Sequence, residues 1–144
     1  MLNPKLKSFS PLVGEWNTVG RHRLIPGTIL HGHVSFKWIE DGAYLLMHSK
    51  VEEEGIPTGT AIFGSDDTSE IISMLYFDER GVSRIFETTL EAKTWKALRI
   101  APGFSQRFTG TFADNDNTIQ VITELSEDDL TWVNDLEQTY TRVR

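Results

Sequence analysis

Residues 28–51, TILHGHVSFKWIEDGAYLLMHSKV, decide how this chain folds. Two runs rich in β-branched and aromatic residues, 28–39 and 44–51, lie on either side of Asp41-Gly42, a pair that favours a tight turn. A connection this short leaves no room for a helical crossover. The two runs therefore predict antiparallel strands joined as a hairpin.

The same arrangement repeats along the whole chain. Turn candidates recur at nearly even spacing, and each pair contains residues that tolerate a left-handed backbone or fix a turn dihedral. They are Pro26-Gly27, Asp41-Gly42, Glu54-Gly55, Asp66-Asp67, Arg80-Gly81, Glu91-Ala92, Pro102-Gly103, Asn115-Asp116 and Asp128-Asp129. Only Glu91-Ala92 has weak turn chemistry. The pattern predicts an all-β, up-and-down antiparallel barrel of about ten strands, with residues 3–9 as a short helical plug.

Length, composition and charge limit the classes of protein to which the chain can belong. Its 144 residues predict one domain, residues 1–144, and the net charge of −7 disfavours nucleic acid and anionic membranes as partners. The absence of cysteine excludes disulfides and thiolate chemistry. No stretch approaches the ~20 apolar residues of a membrane span, and no apolar signal-peptide region begins the chain. A cytoplasmic location is therefore expected.

Alternation of side chains along each strand predicts which residues face the barrel interior. The polar residues assigned to the interior are His22, Tyr76, Arg84, Gln106, Asn134 and Gln138. The apolar wall is assigned to Trp38, Met47, Met74, Phe86, Phe108 and Trp132. An apolar wall with a few convergent polar groups is typical of a small-molecule pocket. Arg107 is assigned to the outer face, unless a bulge at Gly103 reverses its direction.

Gly14-Glu15-Trp16 at the start of the first strand, with Arg142 near the end of the last, resembles the calycin signature. The resemblance implies that Trp16 closes the barrel base and that Arg142, or alternatively Arg144, packs across its ring. Residues 76–84 and 102–110 also look like those of a group of uncharacterised bacterial calycin-like proteins of this length. The predicted strand number is closer to fatty-acid-binding proteins and nitrobindins than to lipocalins. This resemblance names no ligand.

Two departures from these families limit what the resemblance implies. Nitrobindin-like proteins bind haem through a histidine in the C-terminal part of the barrel, whereas His48 is the last histidine here. Fatty-acid-binding proteins insert a helical lid after the first strand, for which Pro26-Gly27 leaves no room. No cofactor is therefore expected.

The histidines also give the sequence its one metal-like pattern. His31-Gly32-His33 places two imidazoles on one face of a strand, but alternation predicts that both face outward, and no third ligand is evident. No metal site is expected.

The sequence favours binding over catalysis. We expect the barrel lumen to hold a small, largely apolar molecule with a polar or anionic end. An alternative is a small enzyme that performs acid/base chemistry on a sequestered substrate with Tyr76, Tyr140, Arg84 and His22. A structural barrel without a ligand is a further alternative. Its buried polar groups would then be satisfied by one another or by water, with Arg84 paired to Glu87 or to a carboxylate of a neighbouring strand. No Gly-x-Ser-x-Gly elbow or phosphate-binding loop occurs.

Overall fold

A computed structural model of the protein describes residues 2–143. A 3-10 helix, Pro4–Leu12, precedes ten β-strands. The strands are β1 (Gly14–His22), β2 (Leu30–Ile39), β3 (Tyr44–Val51), β4 (Gly59–Ser65), β5 (Ile72–Asp78), β6 (Ser83–Glu91), β7 (Thr94–Arg99), β8 (Ser105–Ala113), β9 (Thr118–Ser126) and β10 (Val133–Arg142). Among the described residues, no helix has the length and apolar character that crossing a membrane requires.

Every strand pairs antiparallel with its neighbour in sequence, and β10 pairs with β1 to close the barrel. The predicted all-β, up-and-down architecture of ten strands is confirmed. Eight of the nine predicted turn pairs lie between strands, and the ninth, Glu91-Ala92, begins at the last residue of β6. At the weakest of them the backbone is left-handed at Ala92 and Lys93, with φ of 51° and 64°, so the turn forms there without glycine.

The 3-10 helix closes one end of the barrel, which we call the plug end. Asn3 caps the helix by accepting a hydrogen bond from the Lys5 N–H, and proline occupies the first turn. Leu6, Phe9 and Leu12 are fully buried, and the Phe9 ring lies 5.5 Å from that of Phe63. We call the opposite end, where β1, β5 and β7 finish and β6, β8 and β10 begin, the far end.

Trp16 and Arg142 form the contact at the plug end that the sequence predicts. The Arg142 guanidinium lies 4.2 Å from the Trp16 ring centroid and donates to the carbonyl oxygens of Val13, Pro11 and Asp116 at 2.8–3.0 Å. Any side chain at Gly14, where φ is +133°, would be strained and would place a Cβ 2.8 Å from Arg142 Nη1. Arg144, the alternative partner, lies outside the described residues.

An aromatic layer fills the barrel interior beyond the plug helix. Trp95 extends from β7 across the barrel, and its ring centroid lies 5.8 Å from Phe36, 6.0 Å from Phe63 and 4.6 Å from Phe108. The indole N–H donates to the Thr88 hydroxyl at 3.0 Å, which satisfies the polar atom of this buried side chain. The middle of the barrel is therefore packed core rather than free space.

A bulge in β10 moves two residues that were predicted to face the interior to the outer face. Asn134 is in register with Glu124 and Leu136 with Thr123, so Asp135 is an extra residue and the alternation reverses there. Trp132 therefore lies on the outer face, against Arg107. Asn134 is exposed and donates to a surface carboxylate at 2.8 Å. The interior assignment of Trp132 and Asn134 is wrong.

Arg107 lies on the outer face, as predicted without a bulge at Gly103. Its guanidinium donates to both carboxylate oxygens of Glu124 at 3.0 and 3.2 Å, and it lies 4.1 Å from the Trp132 ring centroid. The charge of Arg107 is therefore paired on the surface, and its side chain does not enter the barrel interior.

Candidate ligand site

The barrel wall has a gap at the far end, between β6 and β7. These strands pair only from Glu87↔Leu98 to Glu91↔Thr94, so residues 83–86 have no partner on the β7 side. The β7–β8 turn is held elsewhere, because the Ser105 hydroxyl hydrogen bonds to Ala101 and to the Asp129 carboxylate in the β9–β10 loop. These hydrogen bonds connect the turn to the β9–β10 loop, whereas the start of β6 pairs with β5 and has no partner on its β7 side.

A pocket of about 530 Å³ occupies this gap. Its lining residues are Leu75, Tyr76, Phe77, Ser83, Arg84, Ile85, Arg99, Ile100 and Ala101. The polar members Tyr76, Arg84 and Arg99 lie on the inward-facing side of their strands, as alternation with the buried residues of each strand shows. The large apolar members lie on the outer face and are exposed. The pocket thus crosses the wall, polar inside and apolar outside.

Arg84 is a half-buried cation without an anionic partner. Its guanidinium lies 5.2 Å from the Phe104 ring centroid, and within residues 2–143 it has no hydrogen bond or ion pair. Burial lowers the pKa of Arg84, and the nearby charges of Arg80 and Arg99 lower it further, although a guanidinium keeps its proton in proteins. Glu87, a partner considered from the sequence, is exposed on the other face of β6. Pairing of Arg84 with Glu87 is therefore wrong.

The carboxylate next to this cation is already engaged. The Asp78 side chain, fully buried, accepts hydrogen bonds from Arg80 Nη2 and from the Tyr76 hydroxyl, both at 2.7 Å. The Arg80 guanidinium holds the pKa of Asp78 well below its usual range. Burial, together with the hydrogen bond to Asp78, raises the pKa of Tyr76 to about 12. Tyr76 therefore stays protonated, and Asp78 neutralises Arg80 rather than Arg84.

Arg99 is a second cation on the inward-facing side of the pocket, and it is not among the residues predicted from the sequence. Its Nη1 donates to the Phe104 carbonyl oxygen at 3.0 Å. Phe104 therefore orients two arginines, because its ring lies under Arg84 and its carbonyl holds Arg99. The alternation of Trp95, Ala97 and Arg99 with exposed Lys96 is the signal that could have found it.

Gln106 and Gln138 lie on the inner face, as predicted. Gln106 is the register partner of Arg99, and its Oε1 is buried without a hydrogen-bond partner in the part of the chain that the structure describes. Native proteins rarely leave such an acceptor unsatisfied. Gln138 is buried opposite Gly20 on the other side of the barrel. The two amides are therefore not brought together.

His22 lies at the far end, but both of its ring nitrogens are occupied. Nδ1 accepts a hydrogen bond from the Leu24 N–H at 3.1 Å, and Nε2 lies 3.4 Å from Asp135 Oδ1 in the β10 bulge. These two contacts, with the β10 bulge and with the adjoining loop, fix the orientation of the His22 ring. No ring nitrogen is left to act on a ligand.

The other histidines face outward, as predicted for His31 and His33. His31 Nδ1 lies 2.9 Å from Glu53, whereas His33 Nε2 lies 3.2 Å from Glu15, so the two imidazoles engage different carboxylates. Within residues 2–143, no group of three or more His, Cys, Asp or Glu side chains is arranged to hold a metal ion.

Five of the six predicted wall residues lie in or against the core. Met74 and Phe86 are buried, while Trp38, Met47 and Phe108 are partly buried against the core cluster. Phe86 is nearest the pocket, two residues from Arg84, and its ring lies 6.3 Å from that of Phe108. Trp38 lies in β2 at the plug end, paired in register with Leu45, away from the pocket.

Comparisons with known proteins show the fold and no function. No protein-family model matches the chain, and no curated protein matches it in sequence. The structure is similar to that of Rv2717c from M. tuberculosis, with a TM-score of 0.65, 12% identity and full coverage of both chains. It is also similar to a protein of unknown function from the DUF3598 family of Nostoc punctiforme, with a TM-score of 0.61 and 16% identity. That match covers 93% of this chain and 48% of the Nostoc chain, so this chain spans about half of its length.

Proposed function

We propose that this protein binds a small amphiphilic molecule in the gap between β6 and β7, with the anionic end of the ligand at Arg84. The observation that carries the proposal is the half-buried guanidinium of Arg84, which has no anionic partner within residues 2–143. The calycin-like features, Trp16 and Arg142 above all, support a binding role for the barrel. The overall charge of −7 favours a free small molecule over nucleic acid.

The charge of Arg84 favours an anion because no group within residues 2–143 gives it a hydrogen bond or an ion pair. A guanidinium cannot deprotonate in a protein, and leaving a cation partly desolvated without a partner is unfavourable. A carboxylate or phosphate oxygen from a ligand would supply charge-assisted hydrogen bonds in the geometry that arginine prefers.

The apolar part of the ligand has a surface beside this cation. Leu75, Ile85 and Ile100 line the outer side of the pocket and are exposed in the structure. Contiguous exposed apolar side chains often mark binding grooves. A volume of about 530 Å³ suits a ligand of ordinary metabolite or drug size. The pocket therefore fits a molecule with one charged and one apolar end.

Binding is supported over catalysis because the candidate acids and bases are already engaged. The Tyr76 hydroxyl donates a hydrogen bond to Asp78, and both ring nitrogens of His22 have partners. Tyr140, another candidate acid, is buried beside Trp16 at the plug end, and burial raises its pKa. None of these groups is free to exchange a proton with a ligand at Arg84.

Calorimetric titration with four ligands of one chain length tests the proposal. We expect octanoate, octyl sulfate and octyl phosphate to bind at least about tenfold more tightly than uncharged octanol, because a hydrogen bond to a charged group contributes roughly 1.5–3 kcal/mol. Arg84→Met should abolish this preference. Arg21→Met, which removes an exposed arginine of β1, is the matched control and should retain it. Equal binding of octanol and the anions, or full anion binding by Arg84→Met, would overturn the proposal.

A further inference from the structure

We propose, building on the binding role above, that the anionic end of the ligand is a phosphate monoester dianion rather than a carboxylate. The proposal rests on the charge balance of the pocket, on the hydrogen-bond donors that Arg84 and Arg99 leave free, and on the passage of the pocket through the barrel wall. Arg84 and Arg99, the two residues that these observations share, line the gap between β6 and β7.

The charge balance of the pocket favours a dianion. The charged groups that act on Arg84 are Arg80, Arg99 and Asp78. Asp78 is bound to Arg80, so three guanidinium groups against one carboxylate leave two positive charges. A carboxylate would neutralise one of them, whereas a phosphate monoester at neutral pH carries nearly two negative charges. In a chain with an overall charge of −7, this local excess of positive charge is a specific feature.

The free donors of the two arginines match the acceptors of a phosphate group. Within residues 2–143, the Arg84 guanidinium makes no hydrogen bond, and that of Arg99 makes one, to the Phe104 carbonyl oxygen. A single arginine fork satisfies both oxygens of a carboxylate. The three terminal oxygens of a phosphate monoester can accept from two forks at once. Two arginines oriented by one residue, Phe104, therefore suit phosphate.

The passage of the pocket through the barrel wall indicates where the ester substituent of the phosphate would lie. Arg84 and Arg99 lie on the inner side of the wall, while Ile85 and Ile100 are exposed on the outer side. A phosphate held by both arginines directs its fourth, bridging oxygen outward through the gap. The substituent on that oxygen then lies along the apolar outer residues. This favours an apolar ester over free phosphate or a polar sugar phosphate.

The pH dependence of binding separates a dianion from a monoanion. The ionisable groups that line the pocket or act on Arg84 are Arg80, Arg84, Arg99, Tyr76 and Asp78. The pKa of Asp78 is lowered and that of Tyr76 is raised to about 12, and guanidinium groups keep their protons in proteins, so this set keeps its charge between about pH 5 and about pH 7.5. Phosphate monoesters lose their second proton near pH 6. We expect the affinity for octyl phosphate to rise about tenfold across this range, and that for octyl sulfate, a monoanion throughout, to stay constant.

Calorimetry of the intact protein at both pH values, with two variants, tests the inference. At the higher pH octyl phosphate should bind at least about tenfold more tightly than octyl sulfate or octanoate. Arg99→Met should remove this preference and the pH dependence, and it should weaken the binding of octyl phosphate more than that of octyl sulfate. Arg84→Met should weaken all three. Thermal melts confirm that each variant is folded.

The outcomes distinguish this inference from the proposed function. If octyl phosphate binds no more tightly than octanoate and octyl sulfate, the dianion assignment is wrong and the proposed function stands. If none of the anions binds, both are wrong. Inorganic phosphate and glycerol phosphate should bind at least about tenfold more weakly than octyl phosphate, because neither covers the apolar groove. Equal binding of these polar phosphates would overturn the assignment of an apolar ester.

Discussion

The two ends of the barrel each place an arginine over an aromatic ring, but only one of these arginines is satisfied by the protein. At the plug end, Arg142 lies over Trp16 and donates to three carbonyl oxygens. At the far end, Arg84 lies over Phe104 and has no acceptor within residues 2–143. The same pairing of guanidinium and ring therefore occurs in two different hydrogen-bonding environments. Hydrogen bonding, rather than stacking, separates the structural arginine from the one proposed to bind a ligand.

The strongest test of this comparison is Trp16→Ala at the plug end. Trp16 is fully buried, and its indole N–H donates to the Leu12 carbonyl oxygen at 2.8 Å. Removing a large buried aromatic side chain is expected to lower the free energy of unfolding by ~3–5 kcal/mol, measured by urea denaturation. Trp132→Ala is the matched control, because Trp132 lies on the outer face, and it should cost about 1 kcal/mol or less. A similar loss in both variants would contradict a closing role for Trp16.

Arg142→Met gives the next largest expected effect. The substitution leaves the carbonyl oxygens of Pro11, Val13 and Asp116 without this donor and removes the stack on Trp16. We expect a loss of about 2–3 kcal/mol in a urea melt. Arg142→Lys should restore only part of it, because an ammonium group cannot reproduce the planar fork. If Arg142→Met were as stable as the parent protein, Arg142 would not have the structural role assigned to it here.

Asp78→Asn tests the ion pair that neutralises Arg80 at the far end. The Arg80 hydrogen bonds depress the pKa of Asp78 in the folded protein, so its contribution to stability is complete above the unfolded pKa, near 4, and is lost as the pH falls below that value. We expect Asp78→Asn to cost about 2 kcal/mol near neutral pH and clearly less at about pH 2.5. Urea melts at both pH values measure the difference. The exposed control Asp114→Asn should change little at either, and a cost that does not decrease in acid would contradict the ion pair.

The sequence predicts most of the barrel because alternation and turn chemistry are local. All ten strands and nine turns follow from such signals. The interior positions fail in β10, where Asp135 adds a residue to the strand. An extra residue leaves no mark on the apolar pattern here, since Trp132 and Leu136 are apolar on either side of it. The resulting error places Trp132 and Asn134 on the wrong face.

The pocket could be predicted only in part. Arg84 and Tyr76 follow from alternation, whereas Arg99 lies in a strand that begins after a turn without glycine, at Ala92 and Lys93. The gap itself depends on contacts between residues far apart in sequence, above all Ser105 with Asp129. Neither composition nor periodicity carries that information. The inward direction of Arg84 can therefore be predicted from the sequence, whereas the gap between β6 and β7 cannot.

Arg84→Met should have the smallest effect on stability and decides whether the comparison holds. Because no carboxylate within residues 2–143 pairs with Arg84, its removal strands no partner charge, and methionine keeps the apolar contact with Phe104. We expect the free energy of unfolding to stay within about 0.5 kcal/mol of the parent protein or to rise. With octyl phosphate present, the parent should melt at a higher temperature through mass action, whereas Arg84→Met should not. A loss above about 2 kcal/mol without ligand would show that Arg84, like Arg142, holds the fold together, and the two ends would then differ in position only.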